Sequence, residues 1–339
     1  MDTLEIFIPT FNRLNKLELC LESLNIALRK TSTKKRRKIG IIIRNNSVIK
    51  LKDYDCLIEI YKKKFIKLGL SYFQYQINGH NIGSTYNLVA GIINCRADYF
   101  WAIGDDDLFR FDSISTLINV IEKYSPCFIA GAAKKFFFIK KYNSNKFFDD
   151  LKSNKVMDVT YKNKFILLFK DNLSIVDCTN FVYNTKLIKN FFFEDKNKDL
   201  INPMLPGTLA IFCLRSKMPF VRLERSIGIY RNGDKSIWRI RWLQYMFNTW
   251  PVLSNKFYLR KWLTRNEANV SAHFHRKYLL EYLNRIDIIS GLNFKYGINP
   301  FLIFKYFRKD FYIFLSIGPV LTLKYFVKAL LKKFFFKKI

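Results

Sequence analysis

Histidine, cysteine and acid are all scarce in this chain. It has three histidines and six cysteines in 339 residues, so imidazole and thiolate metal ligands are few. Cys20, Cys56, Cys95, Cys127, Cys178 and Cys213 are scattered and make no CxxC pair. They read as reduced, buried thiols, which excludes a disulfide framework and a zinc site. His273 and His275 stand two apart, a spacing that does not share a helix face, so they read as structural or surface residues. The opening MDTLEIFIPT has an early acid and no basic leader, which argues against a signal peptide. Before residue 300 no apolar run approaches the ~18 residues of a membrane-spanning helix.

What the chain has in excess is positive charge and aromatic bulk. Its 58 Lys and Arg against 27 Asp and Glu give a formal net charge of +31. That balance attracts anions: nucleic acid, anionic lipid or phosphorylated small molecules. The lysines fall in local clusters with no nucleic-acid-binding module around them, so no specific nucleic-acid partner is expected. Half of the residues are hydrophobic and 34 are phenylalanine, enough for a sizeable core and against global disorder.

Against that background, ADYFWAIGDDDL (Ala97 to Leu108) stands out. A bulky apolar run, Tyr99 to Ile103, suits an interior strand covered on both faces. Gly104 breaks it, and Asp105, Asp106 and Asp107 follow. Carboxylates crowded at a strand end repel one another unless a cation or donor groups compensate them. Strand ends in open α/β sheets are also where ligands bind. The bland alternative is an acidic turn before the helix starting near Ser113. The preferred reading is a divalent metal and a phosphate-bearing substrate.

Taken in order, the chain alternates strands and helices. Leu4 to Pro9 reads as a first strand, with Asn12 or Asn15 capping a helix through Leu17, Leu21 and Leu24. Lys30 to Lys38 reads as a solvated basic loop and Ile39 to Ile43 as a second strand. Leu57 to Tyr61 and Ser71 to Gln76 are further short strand candidates. In NGHNIGSTYN a glycine- and asparagine-rich turn precedes a helix opening near Ser84, whose free N–H groups can hold phosphate. Ser113 to Tyr124 reads as a helix, Cys127 to Ala132 as a strand, and Lys134 to Lys170 as an aperiodic basic segment over the cleft. Leu209 to Leu214 suits a buried helix and Phe220 to Tyr230 a last strand. Beyond Trp238 helices dominate; Trp238, Trp242, Tyr245, Met246 and Trp250 form an aromatic stripe, more core than ligand platform, that Pro251 interrupts. The tail LKYFVKALLKKFFFKKI mixes lysines with Phe and Leu and suits an interfacial helix on an anionic membrane surface. A helix packed on protein, or at a homo-oligomer interface, is the other reading.

These elements together resemble the family 2 glycosyltransferases, over roughly residues 3–235. The matching stretches are IFIPTFNR (Ile6 to Arg13), IIIRNNS (Ile41 to Ser47), NIGSTYN (Asn81 to Asn87), YFWAIGDDD (Tyr99 to Asp107) and IYRNGDKS (Ile229 to Ser236). The resemblance implies an α/β, GT-A-like Rossmann-type mixed sheet flanked by helices. It implies a catalytic domain over 1–237, with a nucleotide-sugar half to about 107 and an acceptor half from 108, and a mainly helical region over 238–339. Pro9, Thr10, Arg13, Arg44 and Asn45 would line the donor site, with Asn81, Gly83 and Asn87 on its loop. Asp105 and Asp106 would meet the nucleotide, and Asp107, with Asp105, the metal, Mn²⁺ or Mg²⁺. Two departures stand out. Arg44, beside Asn45 and Asn46, takes the place of the family's base-reading Asp, so uracil recognition through a carboxylate is not supplied there; a UDP-sugar is the first expectation, with the base left open. Asn232 stands where relatives often carry a His, with Asp234 near it.

An inverting transferase also needs a carboxylate to take the acceptor hydroxyl's proton. Asp195 is the first candidate and Asp177 the second, with Glu194 and Asp199 beside them. The implied reaction moves a sugar from a nucleotide-sugar to a hydroxyl of a glycan or lipid-linked glycan, in surface polysaccharide synthesis, by a cytoplasmic protein peripheral on the inner membrane face. A nucleotidyltransferase normally shows an early glycine- and basic-rich loop that Pro9 to Arg13 lacks. A basic scaffold for nucleic acid or lipid would leave the aspartates without a role.

Overall fold

The computed structural model describes residues 2–131, 154–170, 178–229 and 249–273, together with Tyr245. The chain divides into two units, Met1–Asp234 and Lys235–Ile339. In the first, strands β1 (Leu4–Thr10), β2 (Ile39–Asn45), β3 (Tyr72–Ile77) and β4 (Tyr99–Ala102) alternate with helices α1 (Leu14–Arg29), α2 (Thr33–Arg36), α3 (Leu51–Lys67) and α4 (Ser84–Asn94). The chain continues through β5 (Leu108–Phe109), α5 (Ser113–Tyr124), β6 (Phe128–Gly131), β7 (Val156–Thr160) and α6 (Lys164–Lys170). After these come β8 (Phe181–Asn184), α7 (Thr185–Phe193), α8 (Leu205–Leu214), β9 (Phe220–Leu223) and β10 (Gly228–Ile229).

Among the described residues, eight strands form one mixed sheet in the order β3-β2-β1-β4-β8-β6-β9-β7. The first four are parallel, and β8 turns antiparallel between β4 and β6. β1 lies between β2 and β4, so the strand order reverses there and the C-terminal ends of all three open on one edge. The alternation along β1 explains its place. Leu4, Ile6 and Ile8 face one side with Ile39, Ile41, Ile43 and Trp101, against the apolar stripes of α1 and α3. Phe7 faces the other side, 5.6 Å from the Phe100 ring. Both faces being covered, the strands are apolar throughout. Full burial of each such side chain contributes roughly 1.5–3 kcal/mol.

Several elements differ from the sequence expectation. Leu57 to Tyr61 lies inside α3, because Tyr54, Ile58, Tyr61 and Phe65 recur at helical spacing and are buried as one stripe. The basic 30–38 segment contains α2, and Arg36 is only partly solvated: its guanidinium donates to the carbonyls of Leu28, Thr31 and Leu68 at the ends of α1 and α3. β1 runs through Pro9 to Thr10. Neither Asn12 nor Asn15 caps α1; Asn12 adopts a left-handed conformation instead. The 134–170 segment, read as aperiodic, supplies β7 and α6 where it is described. Phe220 to Tyr230 splits into β9 and β10, which belong to different sheets. Cys56 is exposed, unlike the buried Cys20, Cys95, Cys127 and Cys213.

The second unit is helical where described, with α9 (Trp250–Leu259) and α10 (Arg265–His273). Pro251 opens α9 in its first turn rather than ending a helix, where its missing N–H costs nothing. Trp250 is core: it is fully buried, and its indole donates to the Ser271 carbonyl at 3.0 Å. No helix of the described residues is long and apolar enough to cross a membrane. The basic tail, the side chain of His273, His275, Asn232 and Asp234 lie outside the described residues.

Candidate active site

The site is built at the β1/β4 reversal. Ile103 N–H donates to the Phe7 carbonyl at 3.0 Å, carrying the β4 chain one residue past the strand, and Asp107 N–H closes a turn onto Gly104. This turn sinks the first aspartate into the fold. Asp105 is fully buried, with Thr10 Oγ1 donating to its Oδ2 at 2.7 Å and Arg13 Nη2 lying 2.7 Å from its Oδ1. Arg13 Nη1 pairs with Asp106 at 2.6 Å. Burial raises the Asp105 carboxyl to about 6, against the pull of Arg13. Burial also works against the charge on Arg13, but Asp105, Asp106 and Asp107 outweigh it and raise its pKa.

Asp107 is held from the other half of the unit. Thr179, in the short 3-10 turn Cys178–Asn180, donates its hydroxyl to Asp107 Oδ2 at 2.6 Å and accepts from Gly104 N–H at 3.3 Å. Its carbonyl takes the Trp101 indole N–H at 2.8 Å. Next to it, Asn180 Oδ1 accepts from Ile227 N–H and the Ser226 hydroxyl, which bends the chain away from β9. Gly228 is required here, because a Cβ on it would meet Thr179 Cγ2 at 2.2 Å.

Beside the acidic turn, the ends of β2 and β3 and the start of α4 are joined by amides. Arg44 Nε donates to Asn78 Oδ1 at 2.6 Å, and Asn78 donates to both Asn46 and Asn87. Asn46 donates to Asn81 at 2.6 Å, and Asn81 accepts Gly83 N–H. Gly83 has φ of 79°, the left-handed turn that lets α4 begin. The Ile82 and Gly83 amides are thus bonded to asparagines rather than pointing outward. Asn45 donates to the Tyr75 hydroxyl and accepts from Ser47 N–H. Ser47 in turn accepts from Asn12 N–H at 2.7 Å, linking this network to the Arg13 loop.

The structure therefore gathers Thr10, Arg13, Asp105, Asp106 and Asp107 into one cluster, and Arg44, Asn45, Asn81, Gly83 and Asn87 into a second. Pro9 pairs with Arg44 in the ladder between them. Glu194 and Asp195 are bonded within their own segment: Glu194 to Lys196 and Asn197, and Asp195 to Lys198 at 2.8 Å. Asp195 and Asp199 belong to a 3-10 helix, Asp195–Leu200, rather than to an α-turn presenting both. Asp177 lies outside the described residues. Thr179, Asn46 and Asn78 were not among the predicted site residues. For Thr179 no local signal exists, since its partner is 72 residues away.

Among the described residues no group of three or more His, Cys, Asp or Glu side chains is arranged to hold a metal ion. The donor chemistry still fits a hard cation bound through few protein ligands. Carboxylate oxygens are the right type, and Mg²⁺-like ions often use one or two carboxylates with substrate phosphates supplying the rest.

Residues 5–192, more than half of the chain, match the profile of glycosyl transferase family 2. The chain belongs to that family. It is thus an enzyme, a glycosyltransferase of the GT-A-like fold that uses a nucleotide-sugar donor. Solved structures agree on the fold. A 1–349 segment of TarS from S. aureus, in complex with UDP-GlcNAc, matches at TM-score 0.55 and 11% identity, covering 83% of this chain and 75% of that one. TarS itself matches at TM-score 0.54 over 86% of this chain and half of its own. The mannosyltransferase PcManGT from Pyrobaculum calidifontis, in complex with GDP-Man and Mn²⁺, matches at TM-score 0.54 and 10% identity over 99% of this chain and 88% of that one. No curated protein matches the chain.

Proposed function

We propose that this glycosyltransferase moves a sugar, with inversion and with Mn²⁺ or Mg²⁺, from a nucleotide-sugar to a hydroxyl of a glycan or lipid-linked glycan acceptor. The observation that carries the reading is the buried acidic turn at the β1/β4 reversal, its three aspartates held by Thr10, Arg13 and Thr179. Asp107, with Asp105, would hold the cation. When bound, the cation stabilises the charge that develops on the departing diphosphate. Thr10, Arg13 and Asp106 orient the donor around it. The amide network from Arg44 to Asn87 borders the donor and reads its base. UDP is the first expectation, in line with the UDP-GlcNAc complex of TarS, and GDP the second, in line with PcManGT. Arg44 offers donors only, so it suits carbonyl oxygens or ring nitrogens on the base.

The proton of the acceptor hydroxyl goes to a carboxylate, with Asp195 the first assignment and Asp177 the second. Hydrogen bonding from Lys198 lowers the Asp195 pKa, which keeps the carboxylate ionised and, while that pair holds, makes it a weaker base. The basic tail places the enzyme on the anionic inner face of the membrane, where a lipid-linked acceptor of surface polysaccharide synthesis would lie; self-association is a further use of that region.

The test is release of nucleoside diphosphate from a panel of UDP-, GDP- and CDP-sugars with glycan and lipid-linked acceptors, in Mn²⁺, Mg²⁺ and chelator. Metal-dependent release that is lost in Asp107→Asn is expected. Ligand binding that ignores both metal and Asp107→Asn would favour a scaffold over a transferase.

A further inference from the structure

We infer that Arg13 is a resident counter-charge that keeps a divalent cation from settling in the acidic turn until a diphosphate arrives, an inference that rests on the proposed metal-assisted reaction. Asp105 and Asp107 are buried and Asp106 is partly exposed, and three consecutive aspartates so placed would repel one another. The chain meets that cost itself. One planar guanidinium spans two of them, with Nη2 2.7 Å from Asp105 and Nη1 2.6 Å from Asp106. Such a two-pronged span is a property of arginine that lysine does not share.

Arg13 is also fixed from behind. Its backbone N–H donates to the Tyr54 hydroxyl at 2.8 Å, and the neighbouring Asn12 N–H is held by Ser47. Thr10 holds the other oxygen of Asp105 at 2.7 Å. A bare cation would therefore have to displace a charge-assisted fork before gaining the Asp105 or Asp106 carboxylate. With Asp107 as its main protein ligand it would remain largely hydrated, and such a site is weak. A diphosphate changes the balance, because it brings further oxygen ligands and negative charge. Cation and nucleotide then bind together rather than in turn, and by linkage each raises the affinity of the other.

The experiment is Mn²⁺ uptake by the full chain, without nucleotide and with UDP, GDP or CDP, read as the loss of the free aquo-ion EPR signal beyond that of a protein-free control with the same nucleotide, which binds Mn²⁺ itself. Wild type is expected to take up Mn²⁺ only with a nucleotide. Arg13→Gln is expected to take it up without nucleotide, with an apparent affinity at least about tenfold tighter than wild type. Arg13→Lys, which keeps a charge but not the span, is expected in between and serves should the Gln variant not fold. If the variants match wild type without nucleotide, while nucleotide-driven uptake persists, the role of Arg13 is overturned and the metal-assisted reaction stands. No uptake by wild type with any of the nucleotides overturns both.

Discussion

The fold treats two of the acidic stretches in this basic chain in opposite ways. Asp105 to Asp107 follow a buried strand, and their partners come from 95 and 72 residues away, Thr10 and Thr179. Glu194 to Asp199 follow a surface helix, and Asp195 is 89% exposed and paired to Lys198 three residues on. A local pair in water forms in almost any conformation and says little about design. A buried carboxylate with remote partners persists only because the whole sheet holds those partners in place. Adjacency of acids in sequence therefore carries little information. What the topology brings to them carries the chemistry.

The largest expected effect breaks the buried side of that contrast. Asp107→Asn should lower turnover by about 10³, the scale of losing several kcal/mol of metal-assisted charge stabilisation, while circular dichroism stays unchanged. On the exposed side, Asp195→Asn should lower kcat by about 10²–10⁴ if it is the base, with no change in melting temperature. A normal kcat would move the role to Asp177, tested by the same substitution there. Thr179→Val should weaken metal-dependent nucleotide binding by about 10–100-fold, as loss of a hydrogen bond to a metal ligand does elsewhere, and Thr179→Ser should restore it. Titration calorimetry reads both.

Smaller effects sharpen the comparison. Gly228→Ala should destabilise by about 1–3 kcal/mol, because the added methyl overpacks against Thr179. Denaturant unfolding would measure it, and the metal response should weaken in parallel. The pH dependence has a defined sign. Burial raises Asp105 from 3.8 to about 6, so the folded state binds its proton more tightly than the unfolded state does. The resulting contribution to stability is full below 3.8 and is lost as pH rises through about 6. Glu5, also raised by burial, acts in the same direction. Melting temperature against pH should therefore fall less steeply across that window in Asp105→Asn than in wild type. For Asp195, exposed beside Lys198, the same substitution should leave that profile unchanged.

Much of the frame was legible because local pattern decided it. The β1, β2 and β4 strands, the helix from Ser84 and the helix Ser113–Tyr124 lie close to where periodicity and breakers placed them. The aspartate turn was legible as well, since an apolar run, a glycine and three acids make a signal within ten residues. What stayed hidden depends on distant partners. Thr179 looks like any hydroxyl until β8 is laid against β4, and Phe220 to Tyr230 reads as one strand until Asn180 draws Ile227 aside. Leu57 to Tyr61 misled because five apolar-rich residues do not distinguish a strand from part of a helix face. The bonding of Asn46 and Asn78 was similarly out of reach, since amides serve turns and sites alike.

The measurement that bears most directly on the central claim is a thermal-shift panel of UDP, GDP and CDP, each with Mn²⁺ and with chelator, on wild type and Asp107→Asn. A ligand that binds only the native state raises the melting temperature by mass action. A shift for one nucleotide that requires Mn²⁺ and vanishes in the variant is the expected result, and it would name the donor's base. A folded protein with no shift for any nucleotide, or with a shift indifferent to metal and to Asp107, would contradict the account.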